Sequence, residues 1–121
     1  MSETVVQRKT AKLIQQELSE ILSFGKLAVP GVMLTLSVVR VTRDLGLAKV
    51  YVTAMPEDQL AGTVEYLNEQ SWEVRHALSQ RIRNKLRKMP ELRFFVDDTF
   101  KEAERIEQLL AEAGVNQDEE E

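Results

Sequence analysis

The stretch Val32-Met33-Leu34-Thr35-Leu36-Ser37-Val38-Val39-Arg40-Val41-Thr42 leads through Arg43-Asp44-Leu45-Gly46 into Leu47-Ala48-Lys49-Val50-Tyr51-Val52-Thr53-Ala54. Both runs are rich in β-branched residues, which pack well on a pleated surface. Asp and Gly between them tolerate the backbone of a tight turn. Two such runs joined by so short a loop predict an antiparallel hairpin. Val32, Leu34, Leu36 and Val38 share one parity in the first run. In the second, Val50, Val52 and Ala54 share a face opposite Lys49, Tyr51 and Thr53. Such alternation marks a strand with one side against a core.

Helices flank this hairpin. Upstream, Ala11, Ile14, Leu18, Ile21 and Leu22 fall at offsets 0, 3, 7, 10 and 11, which predicts a helix over 7–24 stopped by Gly25. Val29-Pro30-Gly31 then breaks the chain. Downstream, Pro56-Glu57-Asp58 opens a short helix whose buried face is Leu60, Val64 and Leu67. The apolar stripe loses phase around Asn68-Glu69-Gln70-Ser71, so a kink is expected there. A further helix over 72–88 follows, with Val74, Leu78, Ile82 and Leu86 spaced by four. Met89-Pro90 ends it, because the residue before proline avoids the helical region.

Leu92, Phe94 and Val96 then alternate as a third strand. Thr99 with Glu102 forms a capping-box pattern for a last helix through Ala103, Ile106, Leu110 and Ala113. The order α-β-β-α-α-β-α with one core predicts a two-layer α+β domain over 5–113 and a disordered acidic tail over 114–121.

The totals narrow the function classes. A chain of 121 residues fits one domain, and 43% hydrophobic residues are enough for a real core. With no cysteine, disulfides and thiolate metal sites are excluded, and no apolar run approaches the ~20 residues of a membrane span. The expectation is a soluble, cytoplasmic protein, a monomer without a metal site.

The net charge of −4 conceals a strong asymmetry. Residues 75–93 carry Arg75, Arg81, Arg83, Lys85, Arg87, Lys88 and Arg93 against Glu91 alone. Residues 97–121 carry ten acids against Lys101 and Arg105. Attraction for a polyanion depends on such clustering more than on the sum. On a continuous helix Arg81, Lys85 and Lys88 share one face, and Arg83 with Arg87 form a neighbouring row. Like charges at that spacing repel, and phosphates would relieve the repulsion.

The same ridge is also consistent with a solvated basic face, or with one that pairs with the acidic C-terminal helix. Arg8, Lys9 and Lys12 near the start of the first helix oppose its dipole. They suit an anionic partner as well as a frayed, solvated end. Arg40, Arg43 and Lys49 on the hairpin could extend the patch, although spacing does not place them on its side of the domain.

Catalysis finds no support. His76 is the lone histidine and has no ordered Ser or Asp partner. Asp97-Asp98 reads better as a helix cap than as a metal site. Trp72, beside the expected kink, reads better as a plug for the helix junction than as a stacking platform for a base. The chain has no Walker loop, dinucleotide fingerprint, HExxH or zinc spacing. It also has no GxxG, the backbone clamp of ordinary KH domains.

Three segments together resemble one family. Arg8-Lys9-Thr10-Ala11-Lys12-Leu13-Ile14-Gln15-Gln16-Glu17-Leu18 is similar to the opening helix of ribosome-binding factor A. Val39-Arg40-Val41-Thr42-Arg43-Asp44-Leu45, followed by Ala48-Lys49-Val50-Tyr51-Val52, looks like its hairpin. Leu86-Arg87-Lys88-Met89-Pro90-Glu91-Leu92-Arg93-Phe94-Phe95-Val96-Asp97-Asp98 resembles its most recognisable segment. The resemblance implies a type II KH-like domain of order α-β-β-α-kink-α-β with an additional C-terminal helix.

It further implies binding to 16S rRNA in a late precursor of the small (30S) subunit, near the 5′-end helix and the neck. Support for 5′-end maturation and for cold adaptation is implied too, with no enzymatic activity and no need of a cofactor. Members carry an Ala-x-Gly kink in place of the GxxG clamp. This chain departs there with Gln70-Ser71-Trp72, and a residue as bulky as Trp72 must project outward or repack the kink. The rival reading is a protein-interaction module whose acidic end docks a basic ribosomal protein or an assembly GTPase.

Overall fold

The computed structural model describes residues 3–98 and 109–111. Helix α1 spans Val5–Ser23 and strands β1 and β2 span Met33–Val41 and Leu47–Met55. A 3₁₀ turn at Glu57–Gln59 leads into α2, Leu60–Glu69. Helix α3 covers Ser71–Ile82 and strand β3 covers Glu91–Val96. Residues 109–111 are helical, while the rest of the expected last helix and the acidic tail 114–121 lie outside the described residues.

Helix α1 starts two residues earlier than its apolar stripe suggests because Thr4 caps it. The Thr4 hydroxyl accepts from the Gln7 N–H, and Gln7 Oε1 accepts from the Thr4 N–H at 2.8 Å. This reciprocal box satisfies two of the helix's orphan donors. Gln7 is buried, and its Nε2 also donates to the Val41 carbonyl at 2.8 Å, tying the first turn to the end of β1. At the other end Gly25 adopts φ 90°, which an L side chain rarely tolerates.

The sheet order is β1-β2-β3, with β1 antiparallel and β3 parallel to the central strand. Parallel pairing needs a crossover, and α2 with α3 supplies it. The helices cover one face of the sheet. Helix α1 packs on β1 and α3, and α2 packs on β3. Ile14, Leu18, Val50, Val52, Leu67, Val74, Leu78, Ile82 and Phe94 are essentially sealed from solvent. Each such side chain contributes roughly 1.5–3 kcal/mol of burial free energy.

The parity expected for β1 holds only to Leu36. The register runs Leu36↔Val52 and then Val38↔Tyr51, leaving Ser37 as the extra residue of a bulge. The extra residue reverses the alternation, so Val39 and Val41 are buried and Val38 turns outward. Gln15 Nε2 of α1 donates to the Leu36 carbonyl at 3.0 Å, beside the bulge. In the hairpin turn Leu45 takes φ 61°, in the left-handed region. It is held there by its N–H bond to the Thr42 carbonyl at 2.8 Å and by burial of its side chain.

The helix expected over 72–88 is shorter. It leaves α geometry at Ile82, makes a 3₁₀ turn over Arg83–Lys85 and is extended by Leu86. Arg75 explains how the exit is fixed. Its guanidinium donates to the Met89 and Pro90 carbonyls at 2.8 and 2.9 Å. The last turn therefore unwinds toward β3, and helical spacing does not apply beyond Ile82.

Candidate nucleic-acid interface

The unwinding separates the expected cationic ridge. Arg81 Nη1 lies 3.0 Å from Glu17 Oε1 and 3.0 Å from Glu20 Oε1, both on α1. Hydrogen bonds to Glu20 and then Glu17 raise its pKa above the ordinary arginine value. Arg81 therefore clasps α3 to α1, and it does not share a face with Lys85 and Lys88, which lie beyond the helix. Arg75 is likewise engaged with the backbone of the exit segment.

What the unwinding brings together is different. Lys85 and Arg87 are exposed and, with Lys9 and Thr10 of α1, line a depression of about 350 Å³ floored by Leu13 and Leu86. Three cations from two distant parts of the sequence thus meet over one apolar floor. Lys12, one turn further along α1, is exposed as well. Arg8 is exposed and bonds the Glu3 carbonyl through Nη1 at 3.0 Å. Lys88 stands near the hairpin turn, where its charge helps to lower the pKa of Asp44. The main causes of that lowering are the Thr42 hydroxyl and the Gly46 N–H, both bonded to Asp44 Oδ1. The turn carrying Arg43 and the exit of α3 are direct neighbours, since the Glu91 N–H donates to the Gly46 carbonyl at 3.0 Å.

A second group lies on the sheet face opposite α1, α2 and α3. Arg40, Lys49 and Arg93 are cross-strand neighbours in one row over β1, β2 and β3. The next row is Val38, Tyr51 and Phe95. Tyr51 and Phe95 stack with centroids 5.3 Å apart and an interplanar angle of 26°. Arg40 Nη1 lies 3.9 Å from Glu3 Oε2, a loose pair at the sheet edge. Sequence spacing places Arg40 and Lys49 on the hairpin, with Tyr51 on the face of Lys49, but does not join Arg93 and Phe95 to them. The signal that joins them is the parallel register of β3 on β2, which no local pattern encodes.

The chain breaks at Gln70, with φ −97° and ψ 14°, between α2 and α3. Trp72 does not plug this junction. It is 69% exposed and stacks on His76 with centroids 5.3 Å apart and planes 3° from parallel. Apolar packing at the junction comes instead from Leu67 and Val74. Trp72, His76, exposed Phe24 and Lys26 line a groove between the end of α1 and α3.

His76 contacts Gln80 Nε2 at 3.4 Å and the Trp72 ring. Among the described residues no cluster of three or more His, Asp or Glu could hold a metal ion. Among them, too, no helix is long and apolar enough to cross a membrane.

The element order, a three-stranded sheet with one parallel strand and a kinked helical crossover define an α+β domain of the KH-like class, with its cations in separate surface groups. The family profile described as Ribosome-binding factor A matches residues 6–110, and the chain belongs to that family. A Chlorobium luteolum protein named ribosome-binding factor A is 46% identical over 103 residues, covering 84% of this chain and 86% of the relative. The solution structure of a Thermotoga maritima ribosome binding factor A superposes with a TM-score of 0.60 at 29% identity, over 78% of this chain and 90% of that one. A homology model of Thermus thermophilus ribosome binding factor A, fitted into a cryo-EM map of its complex with the 30S subunit, superposes with a TM-score of 0.58 at 26% identity. That comparison covers 73% of this chain and 91% of the Thermus chain.

Proposed function

We propose that this chain associates with the free small ribosomal subunit and assists its late maturation, including processing of the 16S rRNA 5′ end. It acts as a monomer in the cytoplasm, without catalysis and without a cofactor, and supports growth in the cold. The observation that carries this reading is the meeting of Lys9, Lys85 and Arg87 over one depression, on a chain whose Thermus relative is described in complex with the 30S subunit.

Cations so arranged contact phosphates and set orientation, while RNA shape supplies specificity. Arg8, Lys12, Arg43 and Lys88 extend the cationic margin. Arg75 and Arg81 act indirectly, by holding the exit segment and α1 in place.

Co-sedimentation with free small subunits and with 70S ribosomes tests the proposal. The wild-type chain pellets with free small subunits in preference to 70S particles, and moderate salt weakens the association steeply. The Lys9→Glu/Lys85→Glu/Arg87→Glu variant stays in the supernatant while retaining its circular dichroism. Association that ignores both salt and this triple reversal would sink the proposal. Loss of association on removing only residues 114–121 would instead favour docking of a basic protein or an assembly GTPase by the acidic end.

A further inference from the structure

We propose that the sheet face opposite α1, α2 and α3 is a second RNA-binding surface, one that takes single-stranded RNA. Arg40, Lys49 and Arg93 would receive phosphates, and the Tyr51–Phe95 pair would stack against a base. The inference rests on the ribosome-binding reading and adds to it a separate surface and a ligand class.

Three features combine on this face. First, the cations are cross-strand neighbours on three successive strands, one residue from each. Strands lie about 4.8 Å apart, so the row spans roughly 10 Å. Second, the row is only lightly neutralised. Among the described residues Arg40 has the loose contact to Glu3, and neither Lys49 nor Arg93 forms an ion pair. Glu91 lies one row further toward the hairpin turn, opposite Leu47. Third, the adjoining row carries an aromatic pair.

Aromatic rings next to a line of cations fit a nucleobase and its phosphates better than they fit a purely anionic peptide. The base must be unstacked to reach the rings. In an A-form duplex its faces are closed by its neighbours, which selects a single strand. Among the described residues the Lys9–Lys85–Arg87 depression has no such aromatic lining, so the two surfaces differ in the form of RNA they suit.

Fluorescence anisotropy of the full chain with a labelled, unstructured pyrimidine-rich RNA oligonucleotide tests this. The single strand binds, and an unlabelled RNA duplex competes poorly. Arg40→Gln/Lys49→Gln/Arg93→Gln reduces the slope of log K against log salt by about 2. Tyr51→Leu/Phe95→Leu weakens binding about tenfold with little change in that slope. Amide NMR shifts on adding the oligonucleotide fall on β1, β2 and β3, which keeps the result readable if a variant folds poorly.

Equal binding of single strand and duplex, or shifts confined to α1 and the exit of α3, overturns the proposal. So does binding that appears only when the acids at 118–121 are neutralised, because the face would then belong to the chain's own tail. Small-subunit association without oligonucleotide binding sinks this surface alone. Oligonucleotide binding without small-subunit association sinks the ribosomal reading and leaves the surface standing.

Discussion

The side chain of Asn68 pairs with both backbone groups of Phe94. Its Nδ2 donates to the Phe94 carbonyl at 2.9 Å, and the Phe94 N–H donates to its Oδ1 at 2.8 Å. One amide thereby satisfies the outward-facing backbone groups of β3 at Phe94 and anchors the end of α2 just ahead of the break at Gln70. An edge strand otherwise exposes such groups to unwanted pairing. Asn68→Ala removes both bonds and is expected to cost about 1–3 kcal/mol. A lower urea midpoint at unchanged m-value, with faster exchange of the Phe94 amide, checks it.

Arg81 and Lys85 are expected to behave differently although they are four residues apart. Arg81→Gln releases Glu17 and Glu20 and should leave the salt slope of small-subunit binding unchanged. Lys85→Gln with Arg87→Gln should reduce that slope by about 2, roughly 1 for each cation that no longer meets a phosphate. Titrating binding over a range of salt for each variant separates them. An equally reduced slope for Arg81→Gln would show that its clasp opens on RNA.

Trp72 faces water, so Trp72→Ala should alter stability by no more than about 0.5 kcal/mol. The chain has one tryptophan, so intrinsic fluorescence reports this position alone. Emission from the folded protein should already resemble that of a solvated indole and shift little on unfolding. A large red shift with urea would contradict the outward placement.

Asp44 links the hairpin turn to acid sensitivity. Its folded-state pKa is lowered, first by the Thr42 hydroxyl and then by the Gly46 N–H, from an ordinary value of 3.8. The unfolded chain therefore binds the proton more readily than the folded one. The stability gained is fully present above the ordinary value and is lost as pH falls through the lowered folded value. Asp44→Asn lacks this dependence. Its urea midpoint should fall less steeply than that of the wild type between about pH 5 and about pH 2.5. Parallel curves for the two proteins would exclude the link.

The sequence by itself determined the hairpin, the helical stripes, the break before Trp72 and the strand after Pro90. Each of these rests on interactions between residues close in the chain, such as the period of the apolar residues, the capping of helix ends and the exclusion of helix before proline. The capping box of Thr4 and Gln7 is local in the same way, although the apolar stripe alone starts the helix later. Tertiary structure alone decided the reversal of parity at Ser37, because a bulge answers to the partner strand and to Gln15 of α1. It also decided the fate of the arginines. Arg81 is claimed by two carboxylates more than sixty residues away, and Arg75 by carbonyls that exist in that place only after β3 has docked. The grouping of Lys9 with Lys85 and Arg87, and of Arg40 with Lys49 and Arg93, follows from packing and parallel register. Those distances are set by the folded chain as a whole and by no spacing within it.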